Sequence, residues 1–484
     1  MPQSIAVVGA GVSGLTAAYA ALQRGADVTV FESAEIAGGC LSRTDLGGHL
    51  PVGADDGAEA SLHRRPEARG LVEELGLSPV FPSRAHGSRL ITPRGPAPIP
   101  AGTLMGVPAD PESLRGVLSE EGIARAHAEV LTPAIEGDVS CGDFLAARLG
   151  DELVDRVLDP LIGGVYAGRC RELSLEATLP ALLPAARAGT SVREAVAEVL
   201  AARTRTSGAD IPGAGWRAPA PTAAGGEQEP PPVFLSLPGG INGLVTALTD
   251  ALSARGAVLR LGTRVRAVTP GGRAPVVSTD AGAEAFDAVI VALPAWAAHD
   301  VLSAGSPDSG DSAAGGLTAL LQQIDYATSA VLTGVMRDSG AGLEGSGFLV
   351  PPSAGGLVKA STFSSNKWPW MADALPEHHH VVRVSIGRRG DEAWTLQDDE
   401  TLLDTAFAEW REHTGYEGDL VHAEVKRWER ALPQYRPGHA QLVGSIDAAA
   451  ADLPGIAVTG SYLEGVGIPA CIGRARSTVD RLLS

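Results

Sequence analysis

A strand, a glycine-rich turn, a helix and a second strand follow one another near the start of the sequence. Ile5 to Val8 is a short apolar run typical of a buried strand, and Gly9, Gly11 and Gly14 after it have Gly-x-Gly-x-x-Gly spacing. Glycines at this spacing permit a tight turn, close approach of a pyrophosphate to the backbone, and close helix–strand packing. The amides at the helix N-terminus then favour phosphate. This stretch therefore predicts a dinucleotide-binding fold.

The second strand ends at an acid where a dinucleotide fold binds the ribose. Asp27–Phe31 is typical of a β-strand, and Glu32 follows it, close to the spacing of about 20 residues after the glycines that this fold requires. Glu32 is therefore the candidate acceptor for the hydroxyls of the adenosine ribose. A further glycine pair, Gly38 and Gly39, suits FAD better than NAD because FAD needs more contact with the backbone along its length.

Composition and charge exclude several classes of protein. At 484 residues the chain is too long for one simple core, so two or three lobes are expected. A formal net charge of −19 argues against nucleic acid, which needs a basic surface. The four cysteines form no C-x-x-C pair, which predicts a reducing compartment and no structural zinc. No secretory signal and no apolar run of about 18 residues is found, so we expect a soluble, cytoplasmic protein with at most peripheral membrane contact.

The middle of the chain divides into blocks of different pattern. Residues 111–202 have the apolar spacing of amphipathic helices, and residues 301–419 contain alternating segments that predict an antiparallel sheet. Residues 203–232 are rich in Pro, Gly and Ala and have no periodic core, which predicts a flexible insertion.

Two stretches contain candidate contacts to a cofactor ring or a substrate. Residues 53–59 form a tight loop that either approaches a flavin ring or is an ordinary surface loop. Arg64 and Arg65 open the next helix; they are candidates for binding substrate carboxylates, with a solvated helix start as the alternative. Near the end of the sequence, a Gly-rich loop leads into a helix with Pro469 in its first turn, a second site favourable to anions.

Three adjacent histidines raise the question of a metal site. His378, His379 and His380 enter a predicted strand, where neighbouring side chains alternate between faces and cannot all reach one ion. No cluster of acids or cysteines accompanies them in the sequence. A surface turn is therefore favoured, and no metal is predicted.

Together these motifs give the chain a family resemblance. It resembles the oxygen-dependent porphyrinogen oxidases of haem biosynthesis, flavoproteins that act on protoporphyrinogen or coproporphyrinogen III, over nearly its whole length. The most specific pieces are residues 159–168 (DPLIGGVYAG), 237–240 (LPGG), 366–369 (NKWP), Trp428 with 431–435 (ALPQY), and 465–472 (GVGIPACI).

The resemblance implies a fold of class α/β plus α+β. It consists of a Rossmann-like FAD-binding domain of the amine-oxidase and porphyrinogen-oxidase type, an antiparallel-sheet substrate-binding domain, and a helical lobe. These would occupy residues 1–80, 233–300 and 420–484 for the FAD-binding domain, 81–110 and 301–419 for the substrate-binding domain, and 111–202 for the helical lobe.

The resemblance also implies a set of FAD contacts. They are Gly9, Ala10, Gly11, Val12, Ser13 and Gly14 at the diphosphate, Glu32 and Ser33 at the ribose, Gly39 and Cys40 further along the cofactor, Gly57, Ala58, Glu59 and Ala60 beside the flavin, Val265 at the adenine, and Trp428, Val466, Gly467 and Ile468 near the isoalloxazine. One position departs from the family pattern, since eukaryotic relatives carry Arg in the loop where this chain has Glu59.

The chemistry implied by the resemblance is the six-electron oxidation of a porphyrinogen in three flavin cycles. Hydride passes from a bridging methylene carbon to flavin N5, and O2 reoxidises the flavin to give hydrogen peroxide. No catalytic side chain is implied. Coproporphyrinogen III is favoured as substrate because its four carboxylates suit a soluble enzyme, with protoporphyrinogen IX as the alternative. The oligomeric state expected is a monomer or a homodimer.

Two further alternatives belong to other classes. A flavin amine oxidase shares the fold, but such enzymes favour an R-x-G-G-R pattern, in which Ile36 and Cys40 occupy the arginine positions here. A flavin-free binding protein on the same fold is the third possibility, and the colour of the purified protein distinguishes it.

Overall fold

The computed structural model describes residues 3–51, 53–83, 87–206, 232–271, 274–306, 313–340 and 342–484. The strands in these ranges are β1 (Ser4–Val8), β2 (Asp27–Phe31), β3 (Arg43–Thr44), β4 (Ala54–Asp55), β5 (Ser61–Leu62), β6 (Ser88–Thr92), β7 (Gly95–Pro98), β8 (Thr103–Leu104), β9 (Val107–Pro108), β10 (Phe234–Leu235), β11 (Val258–Arg260), β12 (Val265–Thr269), β13 (Val276–Thr279), β14 (Gly282–Ala285), β15 (Ala288–Val291), β16 (Tyr326–Arg337), β17 (Gly347–Leu349), β18 (Val358–Phe363), β19 (His379–Ile386), β20 (Asp419–Pro433) and β21 (Ile456–Val458).

The α-helices in the same ranges are α1 (Val12–Gln23), α2 (Pro66–Glu74), α3 (Glu120–His127), α4 (Cys141–Leu149), α5 (Asp151–Leu153), α6 (Asp159–Tyr166), α7 (Leu175–Thr178), α8 (Leu183–Ala188), α9 (Val192–Thr206), α10 (Gly243–Ala254), α11 (Ala295–Ala304), α12 (Ala313–Leu321), α13 (Ser364–Lys367), α14 (Pro369–Ala374), α15 (Asp399–Thr414), α16 (His439–Ala451) and α17 (Ile468–Leu483).

A parallel sheet with helices on both faces forms the dinucleotide-binding domain. Its strands lie in the order β11, β2, β1, β15, β21. Ile5 and Val7 of β1 pack into the core formed with α1, α10 and α17, while Ala6 and Val8 pack into the core formed with α11, α12 and α16. Strands buried on both faces have continuous apolar sequences, as β1 does. The Rossmann-like layer predicted from the sequence is confirmed.

The second sheet is mainly antiparallel. Its strands lie in the order β20, β16, β19, β18, β17, β6, β7, and only β17 and β6 pair in parallel. Helix α15 covers one face, where Phe407 and Trp410 pack with Leu332 and Val384. The other face, called here the cleft face, is turned toward the dinucleotide-binding domain, because Arg383 of β19 reaches the carbonyl oxygen of Gly57. The predicted antiparallel sheet is confirmed.

Helices α3 to α9 form the helical lobe. Its core includes Leu145, Leu149, Val157 and Leu158, which belong to the block at 111–202 whose apolar spacing predicted amphipathic helices. A π-helical stretch, Val154–Leu158, joins α5 to α6. The hairpin of β8 and β9 also packs into this core, although its residues were predicted to lie in the substrate-binding domain.

The structure corrects three other predicted boundaries. Residues 420–433 lie in β20 of the second sheet and not in the FAD-binding domain. The prediction misplaced them because Trp428 approaches the cofactor side from the opposite wall of the cleft. Residues 313–321 form α12, which packs on the parallel sheet and not in the substrate-binding domain. Helix α9 continues to Thr206, into the predicted insertion at 203–232, and residues 207–231 lie outside the described residues.

A helix needs about 20 predominantly apolar residues to cross a bilayer. In the described part of the chain, none is long and apolar enough to cross a membrane.

Candidate active site

The turn between β1 and α1 has the geometry that its three glycines predict. Gly9 has φ +102°, and a Cβ there would lie 2.7 Å from the carbonyl oxygen of Ala292. A Cβ on Gly14 would clash with the carbonyl oxygen of Gly9, so α1 can lie this close to β1 only with glycine. Gly11 is the N-cap and offers no side chain to the first turn. The first-turn amides therefore have no intrahelical partner and are available to a diphosphate. They belong to Val12, Ser13 and Gly14.

Glu32 lies at the end of β2 with its carboxylate held by backbone amides. The amide of Ala10 donates to Oε2 at 2.8 Å, and the amide of Ala34 donates to Oε1 at 2.9 Å. The hydroxyl of Ser33 is 3.2 Å from Oε1. A carboxylate fixed beside the glycine turn is placed to accept ribose hydroxyls, as the sequence predicts.

The second glycine pair packs directly on the first turn. The amide of Gly38 donates to the carbonyl of Ala10 at 2.9 Å, and a Cβ on Gly39 would lie 3.2 Å from Cα of Gly11. Cys40 follows and is exposed. Desolvation by the surrounding protein raises the pKa of its thiol. The two glycine stretches thus form one continuous backbone surface.

Val265 is buried at the start of β12, in a small sheet with β13 and β14. The preceding strand, β11, pairs with β2. The amide of Thr263 donates to the carbonyl of Glu32 at 2.7 Å. This places Val265 in the segment next to the ribose acid, and its adenine contact stays a prediction.

The loop of Gly57, Ala58, Glu59 and Ala60 lies between Cys40 and the second sheet. The amide of Ala58 donates to the carbonyl of Cys40 at 2.9 Å. A Cβ on Gly57 would clash with that same carbonyl and lie 2.9 Å from Cζ2 of Trp428. These contacts pack the loop, called here the cofactor-side loop, against Cys40 and Trp428, and its approach to a flavin ring stays a prediction.

Glu59 is the centre of a buried charge cluster. Its Oε2 lies 2.9 Å from Nζ of Lys367 and 3.4 Å from Nη1 of Arg383. Nε1 of Trp368 donates to Oε1 at 2.7 Å, and the hydroxyl of Ser364 lies 3.3 Å from the same atom. Burial would raise the pKa of Glu59, but the charges of Lys367 and Arg383 outweigh it and hold this pKa at about 2. Glu59 therefore fixes the loop to the second sheet.

Asp55 lies just before this loop and caps a helix from another segment. Its carboxylate accepts the amides of Ile241 at 3.0 Å and Asn242 at 3.2 Å, at the start of α10. Burial raises the pKa of Asp55 to about 7 in spite of these amides and of the charge of Arg383. Asp55 thus ties the loop to α10.

Trp428 projects from the cleft face of β20 onto the same loop. Its Nε1 donates to the carbonyl of Asp56 at 3.0 Å, and Nζ of Lys426 lies 5.3 Å from its ring. The position agrees with the ring contact that the resemblance implies, although it comes from the second sheet.

The C-terminal glycine-rich loop ends at the start of α17. Gly467 is the N-cap, without a capping side chain and without an acid in the first turn, and it is exposed. Val466 is partly exposed, whereas Ile468 is buried in the core that α17 shares with α1. The arrangement leaves a second helix N-terminus available to an anion.

Arg64 and Arg65 are both exposed at the start of α2. Two guanidinium nitrogens of Arg65 bind the carboxylate of Glu67, at 2.6 and 3.1 Å. Arg65 is therefore occupied locally. The role of either arginine toward substrate stays a prediction.

The histidine run begins β19, as the sequence predicts, but an acid does lie beside it. Nε2 of His380 is 2.9 Å from Asp338, and Nδ1 of His378 is 3.9 Å from it. The sequence could not show this because Asp338 ends a strand 42 positions away. Within the described ranges, no group of three or more His, Cys, Asp or Glu side chains could hold a metal ion.

The sequence did not predict the partners of Glu59. Lys367 and Trp368 belong to the motif at 366–369, so a signal exists, but the motif does not indicate that these residues contact Glu59. Nothing in the sequence indicated that Arg383 contacts Glu59, since Arg383 is one polar position in a strand of alternating pattern. All three act through contacts between segments more than 300 positions apart.

These observations fit FAD as the bound cofactor. The two glycine stretches form a backbone surface that has no side chains and could lie along the cofactor. The first turn of α1 offers free amides to a diphosphate. The carboxylate of Glu32 is held where a ribose is expected. Gly57 to Ala60 and Trp428 continue that surface to the second sheet. A cofactor with a dinucleotide body and a ring beyond it suits this extended surface.

Comparison with known proteins agrees with this assignment. Residues 12–483 match the family described as flavin containing amine oxidoreductase. Coproporphyrinogen III oxidase of Mycobacterium tuberculosis (strain ATCC 25618 / H37Rv) is 34% identical, covering 100% of this chain and 98% of that protein. Protoporphyrinogen oxidase 2, chloroplastic/mitochondrial, of Arabidopsis thaliana is 25% identical, covering 99% of this chain and 94% of that protein.

A solved structure is similar over the same extent. The crystal structure of a protoporphyrinogen oxidase candidate from Exiguobacterium sp. 255-15 matches with a TM-score of 0.82 and 25% identity, covering 100% of this chain and 99% of that one. The predicted fold class, the family resemblance and the FAD cofactor are thereby confirmed. The chain belongs to the flavin containing amine oxidoreductase family, among relatives named coproporphyrinogen III oxidase.

Proposed function

We propose that this chain is an FAD-dependent oxidase that converts coproporphyrinogen III to coproporphyrin III in haem biosynthesis. The observation that carries the proposal is the similarity to the mycobacterial coproporphyrinogen III oxidase over the entire chain. The structure supports it, because the cofactor line ends at a cleft walled by the loop of Gly57 to Ala60 and by the cleft face of the second sheet. The reaction removes six hydrogens from the substrate and reduces three O2 to three H2O2.

The residues of this chain bind and orient. When bound, FAD supplies the hydride acceptor, and O2 restores its oxidised form. The first-turn amides of α1 bind the diphosphate and Glu32 orients the ribose. The ion pairs of Glu59 with Lys367 and Arg383 fix the position of the cofactor-side loop relative to the second sheet. The N-terminus of α17 stabilises negative charge at the ring edge by about 1 kcal/mol. No side-chain acid or base is proposed.

The test is porphyrin fluorescence in air with purified, FAD-loaded protein and each porphyrinogen in turn. We expect a larger kcat/KM for coproporphyrinogen III and three equivalents of hydrogen peroxide per porphyrin. A clear preference for protoporphyrinogen IX would favour the alternative for which the Arabidopsis relative is named. Peroxide formation with a primary amine and none with either porphyrinogen would instead show a flavin amine oxidase.

We further propose that the enzyme works in the cytoplasm, as a monomer or homodimer with at most peripheral membrane contact. The bacterial origin of the similar oxidases supports this location. Cell fractionation and the elution volume of the FAD-loaded protein on a sizing column test both statements.

A further inference from the structure

Lysine is rare in this chain, and every lysine lies on the second sheet or directly after one of its strands. The sequence contains three, Lys359, Lys367 and Lys426, although Lys and Arg together number 38. Lys367 follows β18 and pairs with Glu59. Lys359 lies on β18 and Lys426 on β20, both strands of the second sheet. Within the described residues, neither Lys359 nor Lys426 has a carboxylate at ion-pair distance. Among the described residues, these two ammonium groups therefore have no ion-pair partner.

The register of the second sheet places these two lysines at opposite ends of one row. Lys426 pairs with Val331, and Val331 pairs with Ser385. Ser385 pairs with Ala360, the residue next to Lys359. The row crosses three strand spacings, so its ends are roughly 14 Å apart.

Both lysines belong to the cleft face. On β20, Lys426 is two positions before Trp428, and residues two apart in a strand share a face. On β18, Val358 and Phe363 pack into the core under α15. The register shifts between Val358 and Ala360, which makes Lys359 the extra residue of a bulge. A bulge re-aims a side chain, and here it sets Lys359 beside Ala360, opposite Ser385.

The Lys359 end of the row is buried. Lys359 is only 8% exposed. Its carbonyl accepts the amide of Val350 at 2.9 Å, and Nη2 of Arg388 donates to the carbonyl of Val350 at 2.8 Å. Burial, with the charge of Arg388, lowers the pKa of Lys359 to about 7. An unpaired ammonium is costly to bury, so a ligand carboxylate beside Lys359 would offset part of that cost.

The Lys426 end is more open and its charges are mixed. A cavity of about 510 Å³ there is lined by Lys426 and Arg43 as well as by Asp45, Asp56 and Glu424. Two of these acids are already engaged, Asp56 by the hydroxyl of Ser42 and Glu424 by the hydroxyl of Thr44. A carboxylate is therefore expected to bind more weakly at this end than at Lys359.

We propose that Lys359 and Lys426 bind carboxylates at opposite edges of the substrate and thereby select a porphyrinogen that has a propionate on every ring. This inference rests on the proposed function. Coproporphyrinogen III has four propionates, one per ring, so any orientation places carboxylates at opposite edges. Protoporphyrinogen IX has two, on neighbouring rings, so it can satisfy one end of the row and leaves the other ammonium unpaired.

Lys359→Met is the most direct test, because it removes the charge and keeps the shape. We expect KM for coproporphyrinogen III to rise ~10-fold or more, since a hydrogen bond to a charged group contributes about 1.5–3 kcal/mol. The ratio of kcat/KM for coproporphyrinogen III to kcat/KM for protoporphyrinogen IX should also fall. The melting temperature should stay the same or rise, because a buried charge without a partner is removed. A purely structural lysine would give the opposite change in melting temperature.

Further variants and a binding measurement complete the test. Lys426→Met should raise the same KM by a smaller factor, and Lys359→Arg should restore much of the affinity. Arg427→Gln is the matched control, because Arg427 is the next residue on β20 and pairs with Asp399. Fluorescence titration with coproporphyrin III, and with its uncharged tetramethyl ester, measures binding without turnover. Only the acid should lose affinity in Lys359→Met.

The outcomes separate the two proposals. Wild-type enzyme that oxidises neither porphyrinogen would overturn the proposed function. Active wild-type enzyme whose Lys359→Met and Lys426→Met variants keep KM within twofold for coproporphyrinogen III would overturn only the inference about the lysines. Equal loss of affinity for the acid and the ester would also overturn it, since charge would then not be what is recognised.

Discussion

Nζ of Lys367 lies 2.9 Å from Oε2 of Glu59, and this contact connects the cofactor-side loop to α13, the short helix that follows β18 of the second sheet. Both side chains are largely buried, with 17% and 12% exposed. A buried ion pair adds little net stability, because removing two charges from water costs about what their attraction returns. Its value here is positional, since it joins the two walls of the cleft at the point where the cofactor ring is expected.

The first prediction concerns the loss of one partner from this cluster. Glu59→Gln leaves the charges of Lys367 and Arg383 buried without their acid, so we expect a loss of about 3 kcal/mol in the free energy of unfolding. Urea unfolding of the FAD-loaded protein measures it. Glu67→Gln is the matched control, because its pair with Arg65 is exposed and should contribute less than about 1 kcal/mol. Equal losses of unfolding free energy in Glu59→Gln and Glu67→Gln would contradict the conclusion that Glu59 pairs with buried charges.

The second prediction is a pH dependence with opposite signs at two neighbouring acids. The pKa of Asp55 is about 7 in the folded protein and near 3.9 in an unfolded chain. Between those values the folded form binds the extra proton, so the contribution of Asp55 to stability falls as pH rises, by at most about 1.4 kcal/mol per pH unit. For Glu59 the folded pKa is about 2, so its contribution is present above its unfolded pKa and is lost as pH falls toward 2.

Asp55→Asn isolates the first of these two effects. The variant should gain stability relative to wild type as pH rises from about 4.5 to 7, and the difference should level off above that. Unfolding curves of both proteins at several pH values test this. A constant difference across the range would show that Asp55 is ionised in the folded protein.

The third prediction concerns Gly57, which packs against the ring of Trp428. Gly57→Ala places a methyl group against the carbonyl of Cys40 and 2.9 Å from Trp428, so the loop must shift. We expect weaker retention of FAD, measured as flavin released on gel filtration. Gly70→Ala, within α2 and with open space around its Cα, should leave flavin content unchanged and stabilise the protein by up to about 1 kcal/mol. Full flavin content in both variants would contradict the placement of the loop.

The fourth prediction is that FAD is bound without a covalent bond. Cys40 is the thiol exposed beside the second glycine pair, and its pKa is raised, which keeps it protonated and poorly nucleophilic. Acid precipitation should release all the yellow colour from wild type and from Cys40→Ala alike. Flavin retained in the wild-type pellet and lost from the variant would identify Cys40 as a covalent attachment site.

The fifth prediction is the role of the two arginines at the start of α2. If they contact propionates, Arg64→Ala and Arg65→Ala should raise KM for the porphyrinogen more than they lower kcat. Arg64 is expected to show the larger effect, because Arg65 already binds Glu67. Unchanged KM in both variants and in the double variant would leave them as solvated residues at a helix start.

The parts of the site that depend on local spacing were predictable from the sequence. Gly9 adopts the positive φ of a tight turn and Gly14 permits close helix–strand packing, because both features depend only on neighbours within one βαβ unit. The approach of a pyrophosphate at Gly11 stays a prediction. The position of Glu32 was predictable for the same reason, since Glu32 comes directly after β2, the strand that pairs with β1.

Contacts between distant segments were not predictable in this way. Glu59 and Lys367 are 308 positions apart, and nothing in either local sequence indicates the other. The domain boundary near residue 420 was misplaced for a related reason. Trp428 approaches the cofactor side from the second sheet, so a contact with the cofactor-side loop did not indicate the domain to which the residue belongs.

The packing of α17 against α1 has a consequence for how the protein is made. Strands β1 and β2 leave the ribosome early, but their sheet lacks β21 and its covering helix until the helical lobe and the second sheet have been synthesised. The two helix N-termini of the cofactor site therefore come together only after these later elements have emerged. FAD therefore cannot meet a complete site until α17 has been synthesised.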